Sequence, residues 1–331
     1  MTGEFDCKAA SKQFSRVGWG IFAFLAVTLV VQIAAILIMG FMRWTIISES
    51  WFPIALSLVS MYAFGLPTAV AIIKNRPAPK IPVGRKMTAG EFFIAFCIII
   101  GITYAGNIIG NILMAVTQMV LGKSITNPLD SLLNGTSMWI QLFAVLVAAP
   151  LLEEFIFRKC VVTALAKYSH TGAILISGLV FGICHGNFYQ FFYAFAIGIV
   201  FAYLYLRTGR LRYTVALHFL VNFLGGAVPL LLQDELSAIG NVEMLENAEA
   251  VMALLQNHFT EIIFFLIYLF CMWGIAIAGA VLLIVKWKSF RLSPDRPRIP
   301  SGMEFRTVFV NSGMILMILM GLFLFITSIF E

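Results

Sequence analysis

The stretch TGAILISGLVFGICHGNFYQFFYAFAIGIVFAYLYL, residues 171–206, holds 36 positions without one Asp, Glu, Lys or Arg. As a single helix it would measure about 54 Å, nearly twice the roughly 30 Å hydrocarbon layer of a bilayer. Gly186-Asn187 near its middle is turn-like. The run therefore predicts two helices joined by a tight connection.

Seven more long runs lack these charges: 17–42, 50–73, 92–122, 131–152, 213–233, 262–285 and 307–330. With the split run they predict about nine transmembrane helices. Composition agrees: 61% of the 331 residues are hydrophobic and 11% charged, and the mean hydropathy is +0.96. A water-soluble domain carries roughly 25% charged residues, and a disordered chain is polar rather than apolar. Both classes are excluded. The fold class is an all-α polytopic membrane bundle.

Lys and Arg gather on the cytoplasmic side of membrane proteins. Here they fall before the first run (Lys8, Lys12, Arg16) and then in every second loop. Those loops carry Lys74 to Lys86, then Arg158, Lys159 and Lys167, then Arg207, Arg210 and Arg212, then Lys286 to Arg306. The loop of residues 233–260 is acidic (Asp234, Glu235, Glu243, Glu246, Glu249) and is expected to form a short amphipathic helix outside. Nine spans with a cytoplasmic N-terminus place every basic loop inside, whereas eight would put Arg207, Arg210 and Arg212 outside. The net charge of +6 is thus mostly orientation and lipid-headgroup contact, with no nucleic-acid partner implied. The first run, 26 residues long, is too long for a signal-peptide core and is expected to remain as a span. The five cysteines (Cys7, Cys97, Cys160, Cys184, Cys271) show neither a disulfide framework nor a C-x-x-C spacing. Pro-rich linkers at 74–90 and 288–304 favour extended chain.

Polar residues at membrane depth are costly and generally have a task. Three clusters stand out. In Glu153-Glu154-Phe155-Ile156-Phe157-Arg158, Glu154 and Arg158 are i,i+4 and pair along one helix face, while Glu153 points about 100° away. Phe181-Gly182-Ile183-Cys184-His185 lies inside the split run, and His218 and Asn222 share a helix face four residues apart. Glu153, His185, His218 and Asn222 are expected to meet in one pocket between three helices. Gly106 and Gly110, with Asn107 and Asn111, mark a close-packing helix face. Cys184 neighbours His185, but adjacent helical residues diverge, which disfavours a thiol nucleophile.

Glu-Glu-x-x-x-Arg, Phe-x-x-x-His and His-x-x-x-Asn, in this order on successive helices, resemble the CAAX protease and bacteriocin-processing family of intramembrane endopeptidases. The resemblance covers roughly 137–232, flanked by three N-terminal spans (1–136) and by the acidic loop with two spans (233–331). It implies that Glu153 and His185 bind and deprotonate the attacking water. His218 and Asn222 would stabilise the oxyanion, with Glu154, Arg158 and Phe181 in support. It also implies a membrane-associated peptide or prenylated or otherwise lipidated protein as substrate, and the bacterial cell membrane as location. Both roles are chemically sound, since a carboxylate shielded from water can act as general base and aimed donors stabilise developing charge. No cofactor is needed for this chemistry. Glu153, His185 and His218 would be the ligands if a divalent metal such as zinc were bound, though no H-E-x-x-H is present. Two other functions remain open on the sequence: a non-catalytic immunity or sensor protein that binds a peptide, and a proton-coupled transporter. The intact motifs disfavour the first and the lack of an internal repeat the second.

Overall fold

Helices form along each apolar run, and several reach beyond its charge boundaries. The computed structural model describes residues 5–74, 81–128, 135–231, 252, 256–290 and 298–330. Its long helices are α1 (Cys7–Phe41), α2 (Phe52–Ile73), α3 (Ala89–Leu121), α4 (Met138–Ala166), α5 (His170–Ile183), α6 (Phe188–Thr208), α7 (Leu211–Leu231), α8 (Phe259–Lys286) and α9 (Ser312–Phe330). Among the described residues, all but α5 are long and apolar enough to cross a bilayer.

The 36-residue run divides where its sequence turns. Gly186 adopts a left-handed φ of 68°, open to glycine at little cost. Asn187 then caps α6, its side chain accepting from the Gln190 amide at 3.0 Å. The first half is shorter than a full span: α5 has 14 residues, about 21 Å. The reason lies upstream. The apolar run ends at Leu152, yet α4 continues through Glu153, Glu154 and Arg158 to Ala166, since these charges find partners inside the bundle.

Among the described residues, four segments widen to π-helix, a feature frequent at functional sites. Three of them end two residues before a proline: Ser60–Gly65 before Pro67, Phe143–Ala148 before Pro150, and Phe223–Ala227 before Pro229. Proline has no N–H, so in the π register the carbonyl five residues upstream loses its partner. Side chains of other helices fill two of these vacancies. Asn222 Nδ2 donates to the Val145 carbonyl at 2.8 Å, and the Tyr268 hydroxyl donates to that of Leu224. An unpaired carbonyl in lipid costs several kcal/mol, so these bonds tie α4 to α7 and α7 to α8. The fourth segment, Phe155–Val162, has no proline and carries Arg158.

α6 lies between α5 and α3, α3 packs on α8, and α1 packs on α2 and α9. The small-residue face of α3 behaves as its spacing predicts. A Cβ at Gly106 would come within 2.5 Å of the Tyr193 backbone, and one at Gly110 within 2.7 Å of the Phe188 carbonyl. Asn111 instead bonds along its own helix, to the Asn107 carbonyl at 2.9 Å. All five cysteines are free. The expected outer amphipathic helix falls mostly on 232–251, and Pro77, Pro79, Pro294 and Pro297 on 75–80 and 291–297, outside the described residues.

Candidate active site

The site is built on α4, α5 and α7 around a buried ion pair. Glu154 and Arg158 follow one another by a turn of α4, both side chains fully shielded, with Nε 3.0 Å from Oε2. That contact has the distance of an ion pair without the alignment of a hydrogen bond. The guanidinium centre sits 4.6 Å from the Phe181 ring and 5.3 Å from that of Phe201, so cation–π attraction compensates part of its lost hydration. Its Nη1 donates to Ser177 Oγ at 3.3 Å, and Ser177 donates to the Phe157 carbonyl at 3.2 Å. Arg158 is thereby fixed to α5 as well as to its own helix.

His218 of α7 lies between the two glutamates. Nδ1 is 3.1 Å from Glu154 Oε1, and Nε2 is 3.8 Å from Glu153 Oε2. With Nδ1–H donating to Glu154, Nε2 faces Glu153. His185 sits just past the end of α5, where Nδ1–H donates to the Phe181 carbonyl at 2.7 Å. Its Nε2 is left for the cavity. The Phe181 ring stands nearly perpendicular to both imidazoles, 5.1 Å from His185 and 5.7 Å from His218. Phe181 thus touches both histidines, while Phe201, 5.6 Å from the His218 ring, and Glu154 hold His218.

Glu153, His185, His218 and Asn222 all line one cavity of about 310 Å³. Asn222 commits one N–H to Val145, and the other is available. Cys184, the C-cap of α5, lines the cavity too. Further polar residues reach the cavity from outside the three motifs: Tyr62 of α2, Asn107 of α3, and Gln190 and Tyr193 of α6. Asn107 and Gln190 were legible as polar residues within spans, whereas a tyrosine in an aromatic-rich chain carries no such mark.

Among the described residues, no three His, Cys, Asp or Glu side chains are grouped as a ready set of metal ligands.

Fold and site together define a polytopic helical membrane protein with a buried Glu–Arg–His cluster beside an internal cavity. Residues 135–224, from the turn before α4 into α7, match the family model for type II CAAX prenyl endopeptidase Rce1-like proteins. Over this segment the chain resembles the CAAX protease family. It is 39% identical to the putative membrane peptidase YdiL of Bacillus subtilis (strain 168) over 77 residues, 23% of this chain and 32% of that protein. It is 27% identical to the membrane-embedded CAAX protease MroQ of Staphylococcus aureus (strain USA300) over 117 residues, 33% of this chain and 47% of that protein. The matches thus span about a third to a half of these relatives' lengths. No solved structure matches. The chain is an integral membrane protein with bacterial relatives.

Proposed function

We propose that the protein is an intramembrane endopeptidase that cleaves a membrane-associated or lipidated peptide by glutamate-activated water. The observation that carries this function is the convergence of Glu153, His185, His218 and Asn222 on one cavity inside the bundle. Residues 137–232 form its catalytic core.

Glu153 carries the base role because, of the two adjacent carboxylates, it is the one without Arg158 as an ion-pair partner. It takes a proton from water while the water oxygen bonds to the scissile carbonyl carbon. His185, held by the Phe181 carbonyl, positions that water through Nε2. The carbonyl becomes an oxyanion, stabilised by the free Asn222 N–H and by an Nε2–H of His218, which with Nδ1–H held by Glu154 requires the imidazolium form; one such donor contributes on the order of 3 kcal/mol. Glu153 then passes its proton to the amide nitrogen, the C–N bond breaks, and a new carboxylate and amine leave. Glu154 and Arg158 act through His218: they orient its ring and touch no substrate. Every step uses only side chains of this chain and water.

The test is cleavage by the purified protein of lipidated and unlipidated membrane peptides in H₂¹⁸O. The expected product carries one ¹⁸O in its new C-terminal carboxylate. A labelled product that persists after Glu153, His185, His218 and Asn222 are all replaced by alanine contradicts the assignment, as does recovery of every peptide intact.

A further inference from the structure

A second cavity, of about 170 Å³, opens where α3 begins and where α6 and α8 end. It shares no lining residue with the catalytic cavity. Arg85 and Lys86 come from the linker before α3, Arg207 from the last turn of α6 and Lys286 from the last turn of α8. Glu91 pairs with two of these four cations, Arg85 and Arg207. Both arms of the Arg85 guanidinium bond to it, and Arg207 Nη2 is 3.6 Å away. Among the described residues, Lys86 and Lys286 have no acidic partner.

The rim is built in place. The Gly84 amide donates to the Thr208 carbonyl at 3.0 Å, and the Met87 amide to the Tyr213 hydroxyl at 3.1 Å. A Cβ on Gly84 would come within 2.5 Å of the Arg207 carbonyl oxygen, so the linker lies directly on the end of α6. Below the charges the wall turns apolar: Ile94, Ala95 and Ile98 run down α3, with Leu204 and Phe290 beside them. The start of α3 is closed by a capping box of Thr88 and Glu91, so the binding charge is that of the lysines and arginines.

From this geometry we infer that the cavity binds an anionic phospholipid, its phosphate on Lys86, Lys286 and Arg207 and its acyl chain along Ile94 and Ile98. Basic pockets between membrane helices suit acidic headgroups. A free phosphate uses only the rim and leaves the apolar wall in contact with water, which is why a lipid is the better occupant.

The probe is phosphatidylglycerol, titrated into the purified full-length protein in detergent and followed by native mass spectrometry, with phosphatidylcholine and inorganic phosphate as comparison arms. Phosphatidylglycerol is expected to bind in preference to phosphatidylcholine and to resist displacement by inorganic phosphate. Lys86→Gln with Lys286→Gln should weaken it about 30-fold, and Lys286→Gln alone about 5-fold. Lys8→Gln with Lys12→Gln, which removes two cations from another basic surface, should leave it unchanged. The single substitution decides the matter should the pair fail to fold. Wild-type affinity in Lys286→Gln overturns the proposal, as does equal loss in the Lys8 and Lys12 pair. Displacement by equimolar inorganic phosphate overturns it in favour of a soluble anion.

Discussion

The Nδ1 atom of His218 lies 3.1 Å from Glu154 Oε1, across 64 positions of sequence. Glu154 is held on its other side by Arg158. One carboxylate therefore joins α4 to α7 and sets the ring plane of a histidine whose second nitrogen faces Glu153. The charge that pairs within a helix turn is also the bridge between helices.

Glu154→Gln should therefore act on stability first. It leaves the fully shielded Arg158 guanidinium without a counter-charge, and breaking a buried pair costs roughly 3–5 kcal/mol. Arg158→Met in the same chain removes the stranded charge and should recover much of that loss. Thermal unfolding of the single and double variants in detergent measures the coupling. Additive losses mean that the two side chains act independently and contradict the bridge.

Asn222→Ala removes two things at once: the donor to the Val145 carbonyl, freed by Pro150, and the proposed oxyanion contact. The first should lower stability by about 1–3 kcal/mol. The second should lower kcat at least about tenfold with little change in KM, because an oxyanion donor matters most in the transition state. Steady-state kinetics alongside unfolding separates the two. A variant that is destabilised yet turns over at the wild-type rate confines Asn222 to the structural role.

We propose, from the alternation of basic loops, that the N-terminus is cytoplasmic. In a chain with its five cysteines replaced by serine, Lys86→Cys precedes α3 and Lys123→Cys follows it. A membrane-impermeant maleimide on intact cells should label position 123 and reach position 86 only after permeabilisation. The reverse pattern inverts the topology.

The bundle was legible because lipid demands long apolar runs, and the helix pair within 171–206 because a 36-residue run exceeds the bilayer and contains Gly-Asn. The Glu154–Arg158 pair followed from helical spacing. Other features depend on tertiary partners. α4 outruns its apolar segment because Glu153, Glu154 and Arg158 meet partners on α5 and α7, and no local pattern distinguishes a buried charge from one at the membrane surface. The bond from His218 to Glu154 required the relative rotation of two helices. The π-helical widening before Pro67, Pro150 and Pro229 is foreshadowed by the prolines, but the partners of the freed carbonyls, Asn222 and Tyr268, lie 77 and 44 residues away. Tyr62 reaches the cavity from α2, outside every motif.

The most direct test of glutamate-activated hydrolysis is the turnover of a cleaved peptide by purified Glu153→Gln. Glutamine preserves the side-chain volume and an acceptor oxygen but cannot take a proton from water. The account predicts at least about a 10²-fold loss, the lower end of what one general base contributes, with thermal stability close to wild type because Arg158 keeps Glu154. Full proteolysis by a folded Glu153→Gln protein contradicts it.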